Sequence, residues 1–159
     1  MNAEQDLYWM QYALRVAEKA KELDEIPVGA VLVKNNELIA EGFNRSIVDH
    51  NPCAHAEIMC LQQAGQSLQN YRMLDTTIYV TLEPCLMCAS ALVHARVQRL
   101  VFGASDLKTG ACGSVMNLLE HEKINHRIEV VGGVMEDECR IQLQSFFKTL
   151  RKRHQKKKV

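Results

Sequence analysis

Two short stretches carry residue types that can do chemistry: His55-Ala56-Glu57 and Pro84-Cys85-Leu86-Met87-Cys88. Cysteines three apart in the first turn of a helix lie on one face and can hold one ion, and the positive end of the helix dipole favours their thiolate form. Proline suits the first helical position, where its missing amide hydrogen had no partner. Histidine adds a borderline-soft donor. One nitrogen and two sulfurs suit zinc in tetrahedral geometry, and three protein ligands leave a position for water. Glu57 lies about 200° around a helix from His55, which makes it a proton carrier rather than a co-ligand. Chance supplies roughly half an H-x-E to a chain of this composition but only about 0.004 P-C-x-x-C, so the second motif gives the pair its weight.

Blander readings stand beside this one. Cys53, two residues before His55, leaves open a closed four-ligand structural site in which Glu57 has no chemical task. A lone His55 could be a hydrogen-bonded core residue. Cys60, Cys112 and Cys139 read as small core residues. Glu83 could take part in catalysis, although an acid just ahead of a helix is explained by the dipole alone. Six cysteines without an export signal argue against a disulfide framework.

The elements that must position these residues follow from periodicity. Leu7, Met10, Leu14 and Ala17 predict one face of a helix from about Gln5 to Glu22, ended by Pro27. Val28 to Val33, the turn signal Asn35-Asn36, and Leu38 to Phe43 predict a β-hairpin. A second helix is expected from about Ala54 to Ala64, stopped by Gly65. Strand Thr76–Thr81 leads into a third helix that starts at Pro84 and runs to Ala95. Leu100–Gly103 and Ile128–Val131 predict further strands, with a loop from Asp106 to Ser114 between them. A last helix from about Met135 places Cys139, Leu143, Phe146 and Leu150 on one side. This order predicts a mixed sheet with helices on its faces. No repeat, P-loop or dinucleotide fingerprint occurs.

At 159 residues the chain suits one domain, 1–159. Nineteen basic and nineteen acidic residues balance overall, but seven of the basic ones fall in a tail from about Lys148 that contains no acid. Such a tail suits a polyanionic partner, or simply a solvated helix end. No apolar run approaches the roughly 18 residues of a membrane span, and Glu4 and Asp6 stand where a secretory signal places positive charge. A soluble, cytoplasmic protein is therefore expected.

The stretches Pro27-Val28-Gly29-Ala30-Val31, Ala54-His55-Ala56-Glu57-Ile58, Thr81-Leu82-Glu83-Pro84-Cys85-Leu86-Met87-Cys88, and Val101-Phe102-Gly103-Ala104 with Asp106-Leu107-Lys108-Thr109-Gly110 resemble the bacterial tRNA adenosine deaminases, within the cytidine deaminase superfamily. The resemblance covers nearly the whole chain, and H-x-E with P-C-x-x-C is the known signature of zinc deaminases. It implies a cytidine deaminase-like α/β fold, with a mixed five-stranded sheet, helices on both faces and a zinc site at the amino ends of two helices. It implies hydrolytic deamination of adenosine to inosine at the wobble position of a tRNA anticodon loop. One Zn2+ per chain would be held by His55, Cys85 and Cys88, with Glu57 moving protons. By the same resemblance Asn44 and the Ala56 backbone meet the flipped nucleoside, Asp106 and Lys108 meet the anticodon stem-loop, and Phe147 and Arg151 approach RNA from the last helix. A homodimer is also implied. Cys53 departs from the family pattern. The alternatives are a deaminase of a free base or nucleoside, such as cytidine or guanine, and a non-catalytic RNA-binding module with structural zinc.

Overall fold

The computed structural model describes residues 2–158; Met1 and Val159, the outermost positions of the expected domain and its tail, lie outside the described residues. Asn2 caps helix α1 (Ala3–Glu22), its side chain accepting the Gln5 N–H at 2.9 Å. The buried stripe of α1 is Trp9, Met10, Ala13, Val16, Ala17 and Ala20, while Leu7 is 47% exposed. The face is thus turned from the expected one. The reason is close packing: a Cβ on Gly29 would collide with the Ala13 carbonyl and the Ala17 nitrogen, so alanines, not leucines, face the sheet. The helix stops at Glu22, well before Pro27.

Strands β1 (Gly29–Lys34) and β2 (Glu37–Phe43) form the expected hairpin. Asn35 and Asn36 have φ of 51° and 57°, the left-handed pair that a two-residue turn between twisted strands requires. Trp9 Nε1 donates to Asn36 Oδ1 at 2.8 Å and ties this turn to α1. Helix α2 (Ala56–Leu68) runs through Gly65 and ends at Gln69, whose φ is 50°. Gly65 therefore does not stop it. A mid-helix glycine costs only about 1 kcal/mol, and Leu68 in the turn beyond it packs against the core.

Strand β3 (Thr77–Leu82), helix α3 (Leu86–His94) and strand β4 (Arg99–Ala104) form a parallel crossover unit. A 3-10 turn at Leu118–Glu120, absent from the sequence expectation, precedes β5 (Glu129–Gly132), and α4 (Glu136–Lys157) closes the chain. The five strands lie in the order β2-β1-β3-β4-β5, with β1 antiparallel to both neighbours and β3, β4 and β5 parallel.

Strand alternation divides the core. Leu32, Ile78, Val80 and Leu100 pack with α2 and α3; Val31, Val33, Tyr79 and Val101 pack with α1 and with Cys139 of α4. Each such buried aliphatic side chain is worth about 1.5–3 kcal/mol, so helices on both faces hold the sheet as a rigid platform. Among the described residues, no helix is long and apolar enough to cross a membrane.

Candidate active site

Because β1 runs antiparallel to both of its neighbours, its start lies at the same end of the sheet as the ends of β2, β3 and β4. The Asn44 N–H donates to the Val28 carbonyl at 3.3 Å, and the Glu83 N–H donates to the Ala104 carbonyl at 2.8 Å. A cavity of about 190 Å³ opens there, lined by Ile26 and Val28 just ahead of β1, Asn44 after β2, Leu82 and Glu83 at the end of β3, and Asp106 and Thr109 after β4. His55, Glu57 and Cys85 complete the wall. Crevices at the carboxyl ends of parallel strands are where α/β sheets bind ligands.

The two motifs enter as helix starts. His55 is the N-cap of α2 (φ −77°, ψ 157°) and Cys85 the N-cap of α3 (φ −76°, ψ 177°); neither side chain caps its own helix. Pro84 accordingly lies outside α3 rather than at its first position. Cys85 instead makes a β-bridge with Gly110, because its extended backbone continues the line of β3. Gly42 sets the height of α2, since a Cβ there would meet the Cys60 backbone nitrogen.

His55 Nδ1 lies 3.6 Å from both the Cys85 and the Cys88 sulfur, and the three ligand atoms all lie within 4.8 Å of one another. Tetrahedral zinc, bonded at about 2.0–2.1 Å to nitrogen and 2.3 Å to sulfur, separates N from S by roughly 3.6 Å. The donor set therefore fits the ion in chemistry and in spacing. Exposed Cys53 is not part of this group, which removes the four-ligand closed site. Cys60, Cys112 and Cys139 are buried free thiols, as expected.

The protons of the site are unevenly shared. Cys85 is pushed down to about 4, first by the hydrogen bond from Cys88, which outweighs burial, and then by His55. The Cys88 thiol is pushed up, first by donating that bond and then by burial. His55 is raised, chiefly by its hydrogen bond to Cys85 against the effect of burial. Glu57 is only 4% exposed. Burial lifts its carboxyl to about 7, with the Cys85 charge adding, while its own backbone N–H, His55 and the Cys88 thiol pull the other way. A carboxyl poised near neutrality can both accept and donate a proton.

Asn44 Oδ1 accepts the Ala56 N–H at 2.9 Å, satisfying an open donor at the start of α2 and fixing the side chain in the wall. Asp106 organises its own turn: Oδ1 accepts the N–H groups of Lys108 and Thr109 at 3.0 and 3.1 Å, and Oδ2 accepts the Thr109 hydroxyl at 2.8 Å. Lys108 is exposed on that turn. Phe147 packs edge-on against buried Phe146, and Arg151 is exposed one turn later. Lys108, Phe147 and Arg151 do not line the cavity.

The sequence reading missed Ile26, Val28, Leu82 and Thr109 as wall residues, and it missed the roles of two buried carboxylates. Glu25 accepts the Ile47 and Val48 N–H groups at 2.7 and 2.8 Å. Glu83 does not serve the α3 dipole as expected. It accepts the backbone N–H groups of Asp106, Cys112 and Ser114 at 3.1, 3.0 and 3.1 Å, together with the Ser114 hydroxyl. Gly110 packs directly on this group, since a Cβ there would strike the Glu83 carboxylate.

The family model of MafB19-like deaminases matches residues 4–151. A tRNA-specific adenosine deaminase of Haemophilus influenzae is 51% identical over 160 residues, covering 100% of this chain and 91% of that protein. The chain belongs to the family of tRNA-specific adenosine deaminases. The family member of Bacillus subtilis is 48% identical over 149 residues, covering 94% of this chain and 92% of that one. A solved structure from work on A-to-I editing by tRNA:A34 deaminases at the wobble position of transfer RNA superposes with a TM-score of 0.83 at 40% identity, over 86% of this chain and 99% of that chain. The deaminase fold and its metal-capable His/Cys/Cys group thus occur together in this chain.

Proposed function

We propose that this protein deaminates adenosine to inosine at the wobble position of a tRNA anticodon loop, using one zinc ion held by His55, Cys85 and Cys88. The observation that carries the reading is one cavity lined by His55, Cys85 and the buried Glu57 carboxyl, with the Cys88 sulfur 3.6 Å from His55 Nδ1 completing the metal-capable group. When bound, zinc supplies Lewis acidity, lowering the pKa of water from 15.7 to about 7, so that a strong nucleophile is present at neutral pH.

The chain's own residues do the rest. Glu57 takes one proton of the attacking water and delivers it to N1 of the purine as oxygen adds at C6; it then takes the remaining proton from the new C6 hydroxyl and passes it to the amine, which departs as ammonia while the C6 carbonyl forms. Asn44, held by Ala56, orients the base. A wall of Ile26, Val28 and Leu82 excludes bulk water from one side. A cavity of about 190 Å³ admits one base and not a base pair, which favours an unstacked loop nucleotide. Asp106 and Lys108 would meet the stem-loop at the rim, and Phe147 and Arg151, with the basic end of α4, would supply an aromatic platform and charge along the RNA. The reading includes a single catalytic domain over 1–159, a homodimer and a cytoplasmic location, where tRNA is found.

The test is incubation of the zinc-loaded protein with a synthetic RNA hairpin carrying adenosine in its loop. Inosine should form, and a chelator should stop it. Ammonia released from free cytidine or guanine, with none from the hairpin, would move the activity to a small-molecule substrate.

A further inference from the structure

We propose that Glu83 is a positioning residue that clamps the 106–114 loop against the start of α3 and so sets the RNA-facing wall of the cavity. The inference rests on the functional reading above, whose site it deepens. Glu83 is 2% exposed, a position that a carboxylate occupies only when its oxygens are satisfied. Oε1 accepts from the Asp106 N–H and the Ser114 hydroxyl, and Oε2 from the N–H groups of Cys112 and Ser114. Four donors occupy the four lone-pair directions of the carboxylate. Glu83 is therefore no free acid or base, although it lines the same cavity as Glu57.

What it holds is the loop that faces substrate. Asp106 and Thr109 line the cavity. Across the clamp, the Ala111 N–H donates to the Pro84 carbonyl at 2.9 Å, and Gly110 bridges Cys85. One carboxylate thus fixes the distance between the wall that receives RNA and the backbone that carries Cys85. Gly110 completes the device, because any Cβ there would displace the Glu83 carboxylate or the loop.

Glu83→Gln keeps the shape but replaces one acceptor oxygen with an amino group, facing N–H donors with another donor. In the zinc-loaded E83Q protein the amides of Asp106, Cys112 and Ser114 should exchange hydrogen faster, while those of β1 and β3 stay protected. Bound metal should stay at the wild-type level. For the hairpin, kcat/KM should fall about tenfold or more, with the loss mainly in KM, because the loop positions RNA and does not touch the reacting carbon. Gly110→Ala keeps the carboxylate's charge but forces it and the loop apart, and should give the same KM-weighted loss; it also serves if E83Q fails to fold. Wild-type KM and unchanged loop exchange in either folded variant would overturn the proposal, as would protection lost equally across the sheet. If the wild-type protein makes no inosine from the hairpin, the functional reading fails, and loop exchange alone still decides whether Glu83 is the clamp.

Discussion

The inner pole of the cavity and the outer rim are built on opposite principles. At the pole, His55, Cys85 and Cys88 bring three ligand atoms within 4.8 Å of one another on helix starts held by backbone contact. Outside the cavity wall, Leu107 is 83% exposed, Lys108 and Arg151 stand in solvent, and the last turn of α4 carries His154, Lys156 and Lys157. The pole works by fixed geometry at low dielectric, where one missing donor undoes the set. The rim carries solvent-screened charge, so on the proposed reading each RNA contact there would add a little and salt would remove it.

Cys88→Ser is the sharpest way to break the pole. A serine hydroxyl is a poor ligand for a borderline-soft ion, so the variant should lose bound metal, and turnover should fall by on the order of a thousandfold or more. The metal's stabilisation goes with it, lowering Tm by roughly 5 °C or more. Elemental analysis and thermal melting check both. Full metal occupancy in this variant would mean that the ligands are other residues.

Glu57→Ala separates metal from proton transfer. It should keep its metal and fold but lose turnover on the hairpin by at least about a hundredfold, the range for removing a general acid–base group. Single-turnover inosine formation beside metal content is the measurement. Near-normal turnover with metal present would take Glu57 out of the reaction.

The same contrast explains what was readable beforehand. The hairpin was legible because Asn35-Asn36 and alternating apolar residues are local signals, and the pole was legible because H-x-E and P-C-x-x-C pack most of its chemistry into two short stretches. Three features were obscured by local rules that packing overrides: α1 turns its alanines inward to admit Gly29, α2 passes through Gly65, and Pro84 ends an extended segment before α3. The buried carboxylates were beyond local reading. Glu25 finds its partners 22 and 23 residues away, and Glu83 between 23 and 31 residues away, through backbone N–H groups that every loop residue possesses. No residue type marks such a partner.

Rim predictions are smaller. Truncation after Arg153 removes Lys156, Lys157 and Lys158 but keeps the exposed ion pair of Arg153 with Asp24, 2.7 Å apart. Hairpin affinity should fall several-fold and the logarithmic salt slope should flatten by about 0.7 for each lost phosphate contact, up to about 2 in all. At saturating RNA, kcat should be unchanged. Binding isotherms at several salt concentrations decide it, and an unaltered slope returns the tail to a solvated helix end.

Lys108→Ala is the mildest probe and the one that tests where pole and rim meet. Its side chain lies outside the cavity wall, while its backbone N–H is tied to Asp106, which does line it. Removing the ammonium should leave that turn intact, since Asp106 bonds the backbone and the Thr109 hydroxyl rather than the lysine head. KM for the hairpin should therefore rise only about two- to fivefold at moderate salt, with a slope change of no more than about 0.7 and kcat unaffected. A fall in kcat would mean that this lysine reaches the base itself, and the boundary between geometry and screened charge would then lie one residue further out along the loop.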